Sequence, residues 1–144
     1  MPEGPIPKTR IAAPLEVSAE NRKDYHIKRD GVTYAGVHLI IDLYGAKHLN
    51  DIPYIEATLR ECVEKTRATL LHIHLQPFEP DGVSGVAVLA ESHISVHTWP
   101  EDNYAAFDVF MCGDTEPDLC SDILERAFTP ERIEVQELLR GKGL

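Results

Sequence analysis

Between Glu91 and Glu101 the chain reads Glu-Ser-His-Ile-Ser-Val-His-Thr-Trp-Pro-Glu, a run holding two histidines, two serines, a threonine, two glutamates and the only tryptophan. Groups able to move a proton or attack a carbonyl are concentrated there, and three chemistries compete for them. A metal centre fits poorly. His93 and His97 share a strand face four residues apart, about 13 Å by strand rise, which one ion cannot span. His72 and His74 are closer together, but no cysteine or carboxylate is placed with them by sequence, so no metal is expected. A serine hydrolase fits no better, since there is no Gly-x-Ser-x-Gly elbow and the serines fall within a strand. The third chemistry is internal to the chain. A serine can attack the carbonyl that precedes it when the backbone is strained and the carbonyl polarised. The resulting ester eliminates to dehydroalanine, which hydrolyses to an N-terminal pyruvoyl group, a built-in electrophile usable as a Schiff-base electron sink. The requirements are a tightly held serine, donors to the oxyanion and a base for the α-proton. Ser92 with His97, Ser84 and Ser95 supplies candidates for all three.

Elements that position these groups can be read from periodicity. Ile94 and Val96 alternate with His93, Ser95 and His97, giving a strand with one apolar and one polar face. Upstream, Val37 to Leu43 alternates in the same way and ends at Gly45. Asn50 or Asp51 then offers an N-cap, and Ile52, Ile55, Leu59, Cys62 and Val63 recur at helical spacing to about Thr66, with Cys62 as a core filler. Thr69 to Leu75 reads as a strand with Leu71, Ile73 and Leu75 on one face and His72 and His74 on the other. Pro77, Pro80 and Gly82 mark a turn, and Gly85 to Ala90 is a short strand feeding into Glu91. After a turn at Pro100 to Asn103, Ala105 to Cys112 alternates again, with Asp108, Phe110 and Cys112 on the polar side. Asp114 or Thr115 caps a second helix carrying Leu119, Cys120, Ile123, Leu124, Ala127 and Phe128, and Arg132 to Leu138 is a last strand. Two helices and about six strands in this order predict an α+β fold, a two-layer sandwich of a mainly antiparallel sheet with the helices packed on one face. The other face, carrying His38, Asp42, His72 and His74, is suited to a subunit interface or the floor of a site.

Composition bounds the partners. The 144 residues fit one compact domain, 43% of them are apolar, and the net charge is −10, which argues against nucleic acid. No apolar run approaches a membrane span and no signal-peptide core is present, so a cytoplasmic protein is expected, with no membrane partner. Cys62, Cys112 and Cys120 form no CxxC pair and are expected as free thiols. Residues 1–35, rich in proline and then in charge, read as an N-terminal arm or extension, with a short strand near Val32 to Tyr34. Residues 36–144 hold the regular domain.

The central run, preceded by Gly82-Val83-Ser84-Gly85 and followed by Tyr104-Ala-Ala-Phe-Asp-Val-Phe-Met-Cys112-Gly113, resembles the small prokaryotic S-adenosylmethionine decarboxylases. The likeness runs from about Gly36 to Val135 and includes Gly36-Val-His-Leu, so residues 36–144 are expected to be a decarboxylase-like domain of that kind. The resemblance implies a self-processing, pyruvoyl-dependent decarboxylase that converts S-adenosylmethionine to its decarboxylated form and carbon dioxide for spermidine synthesis. Cleavage between Glu91 and Ser92 would turn Ser92 into the pyruvoyl group. His97, as proton acceptor, and Ser84 would assist processing, and Cys112 would reprotonate the substrate carbon. Phe78 and Trp99 match the positions that sandwich the adenine, and Glu101 the carboxylate that holds the ribose hydroxyls. A homodimer with shared sites is also implied. Glu79 and Asp81 place negative charge beside Phe78, which admits ornithine or arginine as the substrate of a basic amino acid decarboxylase on the same fold. A homologue that binds ligand without processing is the remaining alternative.

Overall fold

The structure is a computed structural model that describes residues 26–144, so most of the expected arm lies outside the described residues. The described part opens with a hairpin of β1 (Ile27–Arg29) and β2 (Val32–Tyr34). Asp30 and Gly31 between them both take positive φ, 53° and 79°, which matches the twist of paired strands. The hairpin is tied to the C-terminal end of the chain. Ala35 N–H donates to the Arg140 carbonyl at 2.7 Å, and Gly143 N–H to the Thr33 carbonyl at 2.8 Å.

A second, six-stranded sheet follows, made of β3 (Gly36–Tyr44), β4 (Leu70–Pro77), β5 (Val83–Leu89), β6 (Ser92–Trp99), β7 (Tyr104–Met111) and β8 (Arg132–Arg140). Its spatial order is β4-β5-β6-β7-β3-β8, with every neighbour antiparallel. Helices α1 (Ile52–Lys65) and α2 (Asp118–Phe128) lie on one face. The alternation read from the sequence decides which face that is. Leu39, Ile41, Leu43, Ile94, Val96, Phe107 and Val109 are buried beneath Ile55, Leu59, Leu124 and Phe128, with Cys62 and Cys120 fully buried among them. This is the expected α+β sandwich.

Two local readings are corrected, and a third is narrowed to one of its alternatives. Leu71 does not share the core face with Ile73 and Leu75. The register of β4 against β5 shifts between Leu70 and His72, and this bulge leaves Leu71 48% exposed. Helix α2 begins at Asp118 rather than at a cap on Asp114 or Thr115, because the Thr115 hydroxyl donates instead to the Cys112 carbonyl at 2.9 Å. Asp51 alone caps α1, accepting from Tyr54 N–H, while Asn50 reaches across to the β4–β5 loop. Opposite the helices, the second face presents His38, Asp42, His93, Ser95, His97, Trp99, Asp108 and Phe110, half-buried or exposed.

Candidate active site

Strands β5 and β6 are joined by only Ala90 and Glu91, with Leu89 paired to Ser92 across the turn. Glu91 has φ 58°, a left-handed conformation that costs a residue with a Cβ about 1–2 kcal/mol. The turn is held by Ala90 N–H donating to the Thr69 carbonyl at 2.9 Å. Ser92 is therefore placed immediately after a strained peptide, and it is buried. Alongside, β7 ends at Met111, and Gly113 turns the chain with φ 68°. Between them the Cys112 thiol lies 3.4 Å from the Glu91 carbonyl oxygen and 3.9 Å from Ser92 Oγ. Burial pushes this thiol above its ordinary pKa and the Glu91 charge adds to the rise, against a lowering by the Ser92 hydrogen bond. It thus keeps its proton at neutral pH. A cavity of about 260 Å³ opens beside Cys112 and Ala90, bounded by Arg67, Thr69, Asp114 and Thr115.

A second cluster occupies the opposite end of the same strands. Ser84 pairs with His97 across β5 and β6, and Ser84 Oγ lies 2.9 Å from His97 Nδ1. The Trp99 ring sits 6.3 Å from that of His97 and 5.3 Å from that of Tyr104. Phe78 begins the β4–β5 loop, which closes with Phe78 N–H donating to the Gly82 carbonyl at 2.9 Å. Gly82 has φ 118°, and a Cβ on it would stand 3.2 Å from the Thr98 carbonyl oxygen, so the loop lies against the end of β6. Asn50 fixes it there, accepting from Gly82 N–H at 2.9 Å and donating to Asp81 Oδ1 at 3.1 Å. Phe78, Trp99 and Glu101 are thus gathered at one end of the sheet, all exposed.

The two clusters do not meet within one chain. Ser92 and His97 are five residues apart on β6, about 16 Å by strand rise, and point to opposite faces. Ser92 and Cys112 form one cluster; Ser84 and His97, with Phe78, Trp99 and Glu101 nearby, form another.

One group was missed by reasoning from sequence. On the face away from the helices, Asp108 Oδ2 accepts from His38 Nε2 at 2.7 Å and from His93 Nε2 at 3.2 Å, while Ser95 donates to Oδ1. Alternation places all four residues on polar strand faces, but only the pairing register brings them together. The ring nitrogens and carboxylate lie within 4.8 Å of one another, the arrangement of a small metal site. Arg140 argues for hydrogen bonding instead. Its guanidinium, which only donates, stands 3.0 Å from His38 Nδ1, so Nδ1 is the acceptor and Nε2 carries the proton given to Asp108. An ion on Nε2 would force a proton onto Nδ1, against Arg140. Burial alone would raise the Asp108 pKa, but the bonds from Ser95, His38 and His93 more than offset it and hold the carboxylate below its ordinary value.

Comparison with known proteins agrees with this architecture. The S-adenosylmethionine decarboxylase family profile matches residues 37–141. A protein from Thermomicrobium roseum named S-adenosylmethionine decarboxylase proenzyme is 44% identical over 108 residues, covering 74% of this chain and 93% of that protein. A proenzyme of the same name from Methanococcus maripaludis is 46% identical over 110 residues, covering 74% and 89%. The crystal structure of the adenosylmethionine decarboxylase from Aquifex aeolicus superposes with a TM-score of 0.67 at 35% identity, over 74% of this chain and 90% of that one. With sequence blocks, strand order and a family match over most of the chain in agreement, the protein belongs to the S-adenosylmethionine decarboxylase family.

Proposed function

We propose that the chain is a self-processing, pyruvoyl-dependent decarboxylase that acts on S-adenosylmethionine and supplies the decarboxylated product for polyamine synthesis. One observation carries the reading: a buried serine follows a strained peptide whose carbonyl oxygen lies 3.4 Å from a protonated thiol. The Cys112 S–H polarises the Glu91 carbonyl, and Ser92 Oγ attacks its carbon, shifting the acyl group from nitrogen to oxygen. A base then removes the α-proton of residue 92, Glu91 leaves as a carboxylate, and hydrolysis takes in one water and releases one ammonia. The products are chains 1–91 and 92–144. The pyruvoyl group so formed supplies the electron sink for loss of carbon dioxide. Cys112, beside it and carrying its proton, is the donor to the substrate carbon.

The base is His97. In the tautomer whose Nδ1–H donates to Ser84 Oγ, 2.9 Å away, Nε2 keeps its lone pair for the α-proton. Because His97 and Ser92 are held apart in one chain, the base comes from a second copy. The working unit is a homodimer whose sites each combine Ser92 and Cys112 of one protomer with the other half-site of its partner. The uncovered sheet face, where Val88, Trp99 and Leu138 are exposed beside the histidines, is the surface a second copy would cover. In the completed site Phe78 and Trp99 offer ring faces to the adenine and Glu101 a carboxylate to the ribose hydroxyls. The grouping of two aromatic rings and a carboxylate, Phe78, Trp99 and Glu101, at one end of the sheet favours the adenosyl substrate over ornithine or arginine, neither of which carries a base to stack or a ribose to hold.

Intact-mass analysis of the purified protein, with carbon dioxide release from S-adenosylmethionine, ornithine and arginine, tests the proposal. Two chains and turnover of S-adenosylmethionine are expected; a single intact chain, or turnover of a basic amino acid alone, overturns it. Mixing Ser92→Ala with His97→Ala protein tests the shared site. Only the His97→Ala chain is expected to cleave in the mixture, and no cleavage there means that the sites are not shared.

A further inference from the structure

The geometry points to Asp108 as a positioning residue for the chain end that cleavage creates, holding the start of β6 through His93 so that residue 92 stays beside Cys112. This inference rests on the cleavage proposed above. Before cleavage Ser92 is mid-chain and is held by the Ala90–Glu91 turn. Afterwards it is the first residue of its chain, and first residues fray unless something ties them down. Its own hydroxyl, which now lies 3.9 Å from the Cys112 thiol, is consumed in making the pyruvoyl group. The first side chain left with a polar anchor is then His93.

That anchor grips the strand twice and is itself braced. One Asp108 carboxylate accepts from His93 at 3.2 Å and from Ser95, the next residue on the same face. His38 on β3 holds the same carboxylate at 2.7 Å, and Arg140 on β8 fixes the His38 tautomer. The Phe110 ring stacks on His93, with centroids 6.2 Å apart and planes 26° from parallel. Asp108 and Cys112 lie four residues apart, on β7 and just beyond its end. The anchor and the proton donor are thereby carried by one continuous segment. Gripping His93 on Asp108 sets residue 92 relative to the thiol that must serve it. Charge-assisted bonds suit this task because they are short and strong, and partial burial protects them from water.

Asp108→Asn and His93→Ala, each made in the full chain and in the uncleavable Ser92→Ala chain, test the inference by amide hydrogen exchange over residues 93–98 and by steady-state kinetics. His93 is 39% exposed, so its replacement leaves the core closed should Asp108→Asn fail to fold. In cleaved protein, exchange at the start of β6 is expected to quicken about ten- to a hundredfold, the range set by one bond to a charged group. The kcat is expected to fall while KM for S-adenosylmethionine holds, because the adenosyl contacts come from the other half-site. In the Ser92→Ala background the same substitutions change exchange little, since the intact turn still holds the strand. His93→Gln, which keeps a donor, recovers part of the loss. Unchanged exchange in the cleaved variants, or equal acceleration in both backgrounds, overturns the positioning role. A parent protein that never cleaves instead overturns the proposed function.

Discussion

Glu91→Gly isolates the strain at the scissile peptide. Glu91 sits at φ 58°, where a Cβ costs about 1–2 kcal/mol and glycine pays almost nothing. The proposed acyl shift would relieve that strain. In the amide, one atom (the nitrogen) links the Glu91 carbonyl carbon to Cα of residue 92; in the ester, two atoms (Oγ and Cβ) do so, and the longer turn lets Glu91 relax. If most of the strain is released at the transition state, removing it slows cleavage by about five- to thirtyfold, at tenfold per 1.36 kcal/mol. Glycine also removes a carboxylate near Cys112, so the proper reference is Glu91→Gln, which loses the charge but keeps the Cβ. The assay is the time course of the two product masses from freshly synthesised chain, with folding checked by circular dichroism. The expected order of cleavage rate is Gln faster than Gly. Asn, which tolerates the left-handed region, is expected to fall between them. Equal rates for Gln and Gly, or faster cleavage in Gly, would refute the view that the turn stores energy for the reaction.

Three further outcomes are expected. Cys112 is held above its ordinary pKa by burial and then by the Glu91 charge, so its alkylation in the uncleaved Ser92→Ala chain has a pH midpoint above that of a free thiol, and adding Glu91→Gln lowers it. Cys62 and Cys120 are fully buried and do not compete for reagent. Asp108 has a depressed folded pKa, so its stabilisation is present above the ordinary carboxyl value of 3.8 and is lost as pH falls through the lower folded value. Denaturant melts of parent and Asp108→Asn therefore differ at neutral pH and converge in acid. Gly85→Ala places a Cβ 2.5 Å from the His74 carbonyl oxygen and 2.3 Å from Leu75 Cδ2, which forces β4 from β5 and costs about 1–3 kcal/mol, read as a lower denaturant midpoint.

Strand alternation and helical spacing are properties of residues near one another in the chain, and they carried the element order, the core face and the burial of the cysteines at positions 62 and 120. The motif blocks carried the nomination of Ser92 as pyruvoyl precursor and of Cys112 as proton donor, and the structure sets the two side chains 3.9 Å apart. Strand parity placed Cys112 on the polar side with Asp108 and Phe110. The strand instead ends at Met111, and the thiol reaches the Glu91 carbonyl. Which residues face one another across different strands depends on register, which parity along a single strand does not specify. The bulge that exposes Leu71 and the meeting of His38, His93 and Ser95 on Asp108 therefore emerged only from the folded sheet. The positive φ of Glu91 is likewise a property of the closed hairpin, because no residue type in that turn announces it. The separation of Ser92 from His97 is the clearest case. By sequence, Ser92 and His97 are close neighbours in one run. An extended strand sets five residues about 16 Å apart on opposite faces, so nearness along the chain became separation in space.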